Sequence, residues 1–433
     1  MNRASAAFLL ITVLSGAVRA QDMTGIAAVD SADVARAAYA RAAQAMHDQR
    51  APDARRELDR AATAWPVQPA YLWASAVLAA HASDTATLRA RLTAYLALGL
   101  GHDLRADGNF AHTLPAADFE SFARRLDANL APHVHSTVRA TLPDSTFWPE
   151  GMDVNPATGS IYVSSVRHGT IAEIRKDGTS RELLPRHQPN IGAVLAVRAD
   201  AERGVLWAVT SGIPQMQGFV PADTAIAALL CIRITDGAIV RRIDLPVGQH
   251  VLGDVALSGG DVFFSDSRDP ALYWLKAGAD TLVKFTSPLM HSPQGIAPRS
   301  SGVVYLADYS HGLLRVNLAT KAVTWMGVAP GATPIGLDGI VYRDGSIIAI
   351  QNGVSPARVV RFMINDADTR IVGTALLDQN PAVADEPTIG AISGNEFLYV
   401  ANSQWDKHDD DGIPKPGVAR TAPVILAVRL ARP

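Results

Sequence analysis

The sequence predicts a mainly β protein in which a six-bladed β-propeller follows a small α-helical domain. Three observations carry this. The chain changes character near residue 131, from Ala-rich helical periodicity to short β-branched and aromatic runs punctuated by Gly, Pro, Asn and Asp. Beyond that point a single phrase recurs six times, at intervals of roughly 40 to 50 residues with one longer near 62. The two ends of this β-rich region, HSTVRATL at 135–142 and the C-terminal PVILAVRLA, each offer a strand that the last copy lacks.

The organisation expected is a signal peptide at 1–20, a helical domain at 21–130 and the propeller at 131–433. Arg3 gives a short positive start, ASAAFLLITVLSGAV is an apolar stretch too short for an ordinary membrane span, and Val18-Arg19-Ala20 places small residues before a cut ahead of Gln21. The expected location is periplasmic or secreted, with no membrane association after cleavage. At 433 residues, 48% hydrophobic and 19% charged, the chain can bury a large core. A net charge of -3 provides no electrostatic basis for binding nucleic acid. The single cysteine, Cys231, excludes an intramolecular disulfide and sits in the apolar run LLCIRI as a core residue.

The helical elements follow in order. SADVARAAYARAAQAM is the first, Pro52 opens the second, and PAYLWASAVLAAH is the third. TATLRARLTAYLALGL, capped by Asp84, puts Leu88, Leu92, Tyr95 and Leu96 on one stripe. DFESFARRLDANL closes the region with Phe119, Phe122 and Leu126 on one side. Helix pairs of this length and small-residue content resemble tetratricopeptide-type repeats, without a full repeat signature. Such helices serve as a partner-binding surface for another protein or as packing support for the propeller.

The propeller phrase is a turn, a short apolar strand, a tight turn and a second strand. Its copies are PEGMDVNPATGSIYVSS from Pro149, IGAVLAVRADAERGVLWAVTS from Ile191, LGDVALSGGDVFFSDS from Leu252, PQGIAPRSSGVVYLADY from Pro293, IGLDGIVYRDGSIIAIQN from Ile335 and EPTIGAISGNEFLYVANS from Glu386. Most copies continue into a third strand, such as GTIAEI or ALYWLK. Repeats of this size bury their flanks by closing into a ring, which also removes exposed sheet edges. HSTVRATL then completes the last blade beside PVILAVRLA.

In such a ring the residue before each first strand points into one mouth of the central channel. That place yields Glu150, Asp254, Gln294 and Asp338 in blades one, three, four and five. Blade two leaves Asn190 or Gly192, and blade six Glu386 or Thr388. Converging carboxylates repel unless a cation neutralises them, and oxygen-only ligands suit Ca²⁺, or another hard divalent cation such as Mg²⁺. The expected metal ligands are therefore Glu150, Asp254, Gln294 and Asp338. His250, four residues before Asp254, is the histidine best placed for proton transfer, and His168 and His291 lie near other blade mouths.

With PEG, GDVAL, PQGIA and LDGIV at its blade starts, the region from about 134 to 433 resembles the SMP-30/gluconolactonase/luciferin-regenerating family and is similar to the paraoxonase lactonases. The resemblance implies a divalent metal held by a Glu in blade one, Asn residues in middle blades and an Asp in blade five. Glu150 and Asp338 match in type, whereas Asp254 and Gln294 stand where the family has Asn. It also implies hydrolysis of a lactone or ester, with Asp338 as base; His250 is the second catalytic candidate. The competing expectations are a propeller that only binds a ligand or partner, and a strictosidine-synthase-like propeller without hydrolytic activity.

Other signals fail. GxSxG, HExxH and GxxxxGK[ST] are absent. The run DKHDDDG from Asp406 would place Lys407 first and Val418 last in an EF-hand loop, so it reads as a solvated loop capping a channel mouth, with Trp405 beside it lining a pocket or anchoring the loop.

Overall fold

The computed structural model describes residues 31–299 and 302–431, and the expected signal peptide lies outside them. Six antiparallel sheets follow one another from residue 149. Blade one is Pro149–Val154, Ile161–Ser165, Ile171–Ile174 and Ser180–Leu184, ordered from the channel outward. Blades two to five repeat this order, starting at Ala193–Asp200, Leu252–Ser258, Pro293–Arg299 and Leu337–Arg343. Blade five gains a two-residue parallel edge, Gly327–Val328. The long second repeat is explained by residues 212–226, a connection carrying the 3₁₀ turn Pro221–Ala225.

Blade six joins the two ends of the propeller. Gly390–Ser393, Glu396–Val400 and Val424–Arg429 come from the C-terminal side, and Ser136–Thr141 pairs antiparallel with Val424–Arg429 as the outermost strand. Each inner strand packs on the inner strand of the next blade all the way around.

The core is divided accordingly. One apolar cluster fills each of the six blade-to-blade interfaces; Val163, Ala172, Leu398 and Ile425, for example, pack blade one against blade six. Middle strands are therefore covered on both faces, and Ile161–Ser165 is buried at every residue instead of alternating. Cys231 lies in the interface between blades two and three.

A second device anchors the loops entering the inner strands. Asp266, at the end of a second strand, accepts bonds from the Val251, Arg268 and Asp269 amides and meets His250 Nδ1 at 2.6 Å. Asp308 does the same in blade four for the His291, Ser292 and His311 amides. In blade five Gln351 Nε2 donates to the Thr333 and Ile335 carbonyls. These side chains are buried and carry several hydrogen bonds each, which offsets the cost of removing them from water.

Among the described residues six helices precede the ring: α1 (Ser31–His47), α2 (Ala51–Ala64), α3 (Pro69–His81), α4 (Thr85–Ala97), α5 (Gly108–Thr113) and α6 (Ala116–Leu130). α1 buries Ala32, Ala35, Ala38, Ala42 and Ala45, small residues that let α2 approach closely. Asp84 caps α4 through the Thr87 amide, and Leu88, Leu92, Tyr95 and Leu96 are buried as one stripe. The short α5, with the 3₁₀ turn Leu104–Ala106 before it, has no periodicity to betray it; Asp103 and Asp107 start the two turns by accepting backbone amides.

The helices dock onto blades four and five. Arg358 reaches the Leu98 and Gly99 carbonyls while its Nε donates to Gln351. Gln379 and Asn380 donate to the Asn129, Leu130 and Ala131 carbonyls, and Thr333 donates to Val67. All these propeller groups lie at ends of strands on the face where the inner strands begin, because the strands of each blade alternate in direction. The Arg358 cation is almost wholly buried, and that burial pulls its pKa down to about 10. Arg358→Ala strands several buried acceptors at once and should cost about 2–3 kcal/mol. Denaturant unfolding checks the magnitude, and faster proteolysis between residues 97 and 131 should accompany it.

Candidate functional site

A cavity of about 300 Å³ opens where the inner strands begin, within the usual range for small-molecule sites. Glu150, Gln294 and Asp338 line it, each the second residue of an inner strand. A β-bulge at this place in blades one, three, four and five puts two residues opposite one and turns the first toward the channel. Glu386 and Thr388, before the inner strand of blade six, complete that side, and Leu195 is the contribution of blade two.

The register corrects one expectation. Pro149, Leu252, Pro293 and Leu337 begin the four pairings alike, so the residue of blade three equivalent to Glu150 is Gly253, not Asp254. Asp254 takes the next place, occupied by Gly151, Gly295 and Gly339 elsewhere. That place faces the neighbouring blade: a Cβ on Gly295 would sit 2.1 Å from the Asp338 carbonyl oxygen. Asp254 instead reaches across and accepts the Ile296 amide at 3.0 Å, with Arg198 at 3.4 Å on its other oxygen. It does not line the cavity, and neither does His250, whose Nδ1 faces Asp266 at 2.6 Å and whose Nε2 faces the Pro246 carbonyl at 3.0 Å. His168 is similarly engaged by Gln217 and Thr146.

Two lining residues were invisible to the repeat pattern. Tyr309 and Asn352 each follow directly after a second strand, in blades four and five, a place where the sequence carries no common residue type. Asn352 Nδ2 donates to Asp338 Oδ2 at 2.8 Å and to the Pro387 carbonyl at 3.0 Å. Both partners are acceptors, which orients the amide, and its Oδ1 is left buried with no partner among the described residues. Gly253 matters here too, since a Cβ there would stand 2.7 Å from Gln294 Oε1; the missing side chain makes room for the long amide.

The long connection between the last two C-terminal strands crosses the mouth. Its Trp405 Nε1 donates to Glu150 Oε2 at 2.7 Å, and the Asp406 amide donates to Glu386. Trp405 thus both lines the cavity and anchors the loop. Lys407 bridges to Asp385 at 2.8 Å, His408 stacks on Trp148 at 4.0 Å, and Gly412 is held by Arg167. The acidic run is a turn in which Asp409 accepts the Asp411 and Ile413 amides.

The electrostatics are those of partly buried carboxyls that share one cavity. Burial, with Asp338 and Glu386 nearby, holds the Glu150 carboxyl well above the usual range despite the Trp405 hydrogen bond. Burial raises Asp338 to about 7 against the pull of Asn352, with the Asp254 charge adding to the rise. Glu386 is also raised to about 7, by burial and then by Asp406. Tyr309 keeps its proton far above the normal phenol range, through burial and the charges of Asp338 and Glu386.

This donor set fits a hard divalent cation. It supplies carboxylates that repel one another and an amide oxygen with an unmet hydrogen bond, which a cation or its water would satisfy. Glu150, Asp338, Asn352, Gln294 and Glu386 are the residues that would hold it. The carboxylate oxygens are not drawn into a tight cluster: among the described residues, groups of acidic and histidine donors all within 4.8 Å of one another occur elsewhere. The spread leaves space for the water ligands that calcium and magnesium usually retain.

Fold and site together define a six-bladed propeller with an acidic, oxygen-lined pocket at one channel mouth. No family model matches the chain, and no curated protein matches it. Solved propellers resemble it at low identity. A virginiamycin B lyase from Staphylococcus aureus is 14% identical over 68% of this chain and 100% of its own, with a TM-score of 0.47. A gluconolactonase from Xanthomonas campestris is 16% identical over 67% of this chain and 87% of its own, with a TM-score of 0.44. The assignment of six blades rests on the sheet order of this chain itself.

The raised carboxyls set a pH dependence. The folded state binds their protons more tightly than the unfolded chain, where such groups titrate near 4. Their stabilising contribution is therefore complete below that range and is lost as pH rises through about 7. In chelator-treated buffer this cluster should lower Tm between about pH 4 and 7, and Glu386→Gln should flatten the decline. An unchanged slope in the variant would contradict the assignment.

Proposed function

We propose that this chain is an exported, divalent-metal-dependent hydrolase that opens lactones or related esters in the channel-mouth cavity. The observation that carries the reading is the convergence of Glu150, Asp338 and Glu386 on one channel-mouth cavity beside the unpartnered Asn352 Oδ1. Calcium is the favoured ion and magnesium the alternative, since every available donor is oxygen. When bound, the cation would supply Lewis acidity toward a carbonyl and charge to match a developing oxyanion.

The remaining work falls to the side chains of the cavity. Asp338 or Glu386 accepts a proton from the attacking water as the water oxygen bonds to the acyl carbon. The ring C–O bond then breaks, and the departing alkoxide takes the proton back. Tyr309, which holds its proton, donates a hydrogen bond to a substrate oxygen. Trp405 and Leu195 cover the apolar side of the substrate and exclude bulk water. His250 has no role in this reading, because both its ring nitrogens are already engaged.

A binding propeller without catalysis is the second reading. Its support is that blades two and three present Leu195 and Gly253 to the cavity instead of oxygen ligands, and that the helices dock on the same face. Calcium, magnesium and manganese titrations of the mature protein separate the two, read by calorimetry and by Tm. The hydrolase reading expects saturable binding that is lost in Glu150→Gln/Asp338→Asn, with lactone or ester turnover falling roughly 10²-fold or more. Asp254→Asn should instead lower stability by about 1–3 kcal/mol and change cation affinity far less than the double substitution, through loss of one nearby charge alone. If none of the three ions binds and no lactone or ester is turned over, the binding reading stands.

A further inference from the structure

A second group of metal-type donors lies where α1 meets blade four. Asp33 in the first turn of α1, His291 in the loop before the blade-four inner strand and His311 after its second strand bring donor atoms within 4.8 Å of one another. His291 Nε2 is 3.9 Å from an Asp33 oxygen, and the two imidazoles stack with centroids 4.0 Å apart. The three residues come from three separate chain segments, so only the docked arrangement assembles them.

We infer that this cluster is a binding site for a zinc-type transition-metal ion that clamps α1 to the propeller. Imidazole nitrogens with one carboxylate favour zinc and its neighbours over calcium or magnesium, which prefer oxygen alone. Tetrahedral zinc donors sit on the order of 3.3 Å apart, so small side-chain movements close the group on one ion. The inference does not depend on the channel-mouth reading, since it uses different residues and a different class of metal.

The surroundings of the histidines support it. His311 Nδ1 contacts Ser310 Oγ at 2.7 Å and lies 3.5 Å from Asp308. An Nδ1–H directed there leaves the Nε2 lone pair facing the cluster, the arrangement in which an outer carboxylate orients a metal-binding imidazole. Asp308 also holds the His291 and His311 backbone amides, so one buried carboxylate sets the position of both rings. His291 has no side-chain hydrogen bond among the described residues. Trp65 and Trp325 flank His311 at 5.3 and 5.5 Å and shield it from water.

One group opposes the ion. Arg36 Nη1 lies 3.0 Å from His311 Nε2 and takes the lone pair that a metal would use. Arg36 is one turn along α1 from Asp33 and only partly buried, so it can swing to solvent when the ion enters. Its displacement gives the site a signature that an ordinary interface hydrogen bond lacks.

Zinc chloride titration of the chelator-treated full mature chain, by calorimetry and by Tm, tests this on wild type, Asp33→Asn, His291→Gln and Arg36→Ala. Asp33 is half exposed, so its replacement does not endanger folding. His133→Ala/His135→Ala serves as a control, because those exposed imidazoles also approach to 3.0 Å. The expected result is one saturable site that raises Tm, weakened at least roughly tenfold by Asp33→Asn and by His291→Gln. Arg36→Ala should bind zinc as tightly or more tightly. Absence of saturable zinc binding overturns the inference. So does binding that survives both ligand substitutions or disappears only in the His133/His135 control; in that case Arg36 on His311 is simply the contact that seats the helix.

Discussion

A ring of six sheets stabilises itself only when every flank is covered, and here that depends on one pairing: Ser136–Thr141 against Val424–Arg429. Each blade buries one face against the blade before it and the other against the blade after it, through six apolar clusters. Without the joining strand, blade six would lose its outermost strand, and the apolar cluster it shares with blade one would lose Ala140 and Leu142. Joining residues about 290 positions apart is slow to find but removes both free ends of the sheet array. Since the closing strand directly follows α6, the helices are tethered to the joint itself.

Closure also makes the pocket. Six inner strands start at one end of the channel, and a bulge near each start in four blades turns one side chain inward. The next position packs against the neighbouring strand and is glycine in three of those blades. Chemistry and assembly thus occupy adjacent residues: Asp338 faces the cavity while Gly339 lets blade six approach. Asp254 shows how little separates the two roles. One residue later than Gly253, its carboxylate serves as an inter-blade tie bonded to Ile296 and Arg198.

The cavity stores electrostatic tension that the remainder of the fold makes tolerable. Burial raises the Asp338 and Glu386 carboxyls to about 7 and holds Glu150 well above its usual range, whereas buried Asp266 and Asp308 each accept three backbone amides. The strap from residue 401 to 423 adds a hydrogen bond from Trp405 to Glu150 and crosses part of the mouth, and the helices flank the same face. Because these carboxyls hold their protons more tightly than ordinary ones, acidity acts on this region of the molecule.

By itself the sequence determined the class of fold, because a propeller blade is a local pattern: strands joined by tight turns, repeated where Gly, Asn and Asp punctuate apolar runs. It also singled out Glu150, Gln294 and Asp338, which the structure places together, since their position relative to each turn repeats. Tertiary structure alone decided what one-residue register and distant neighbours control. A bulge moved Asp254 out of the cavity and put Gly253 in its place. Asn352 and Tyr309 entered from strand ends that share no residue type, and Glu386 and Thr388, the two alternatives for blade six, both line the cavity. Whether His250 is free or bound depends on Asp266, sixteen residues away across a hairpin. The docking of the helices rests on Arg358 meeting carbonyls about 260 residues earlier. No local pattern encodes such pairings, because backbone carbonyls have no sequence signature and a side chain's partners are set by the folded path of the chain.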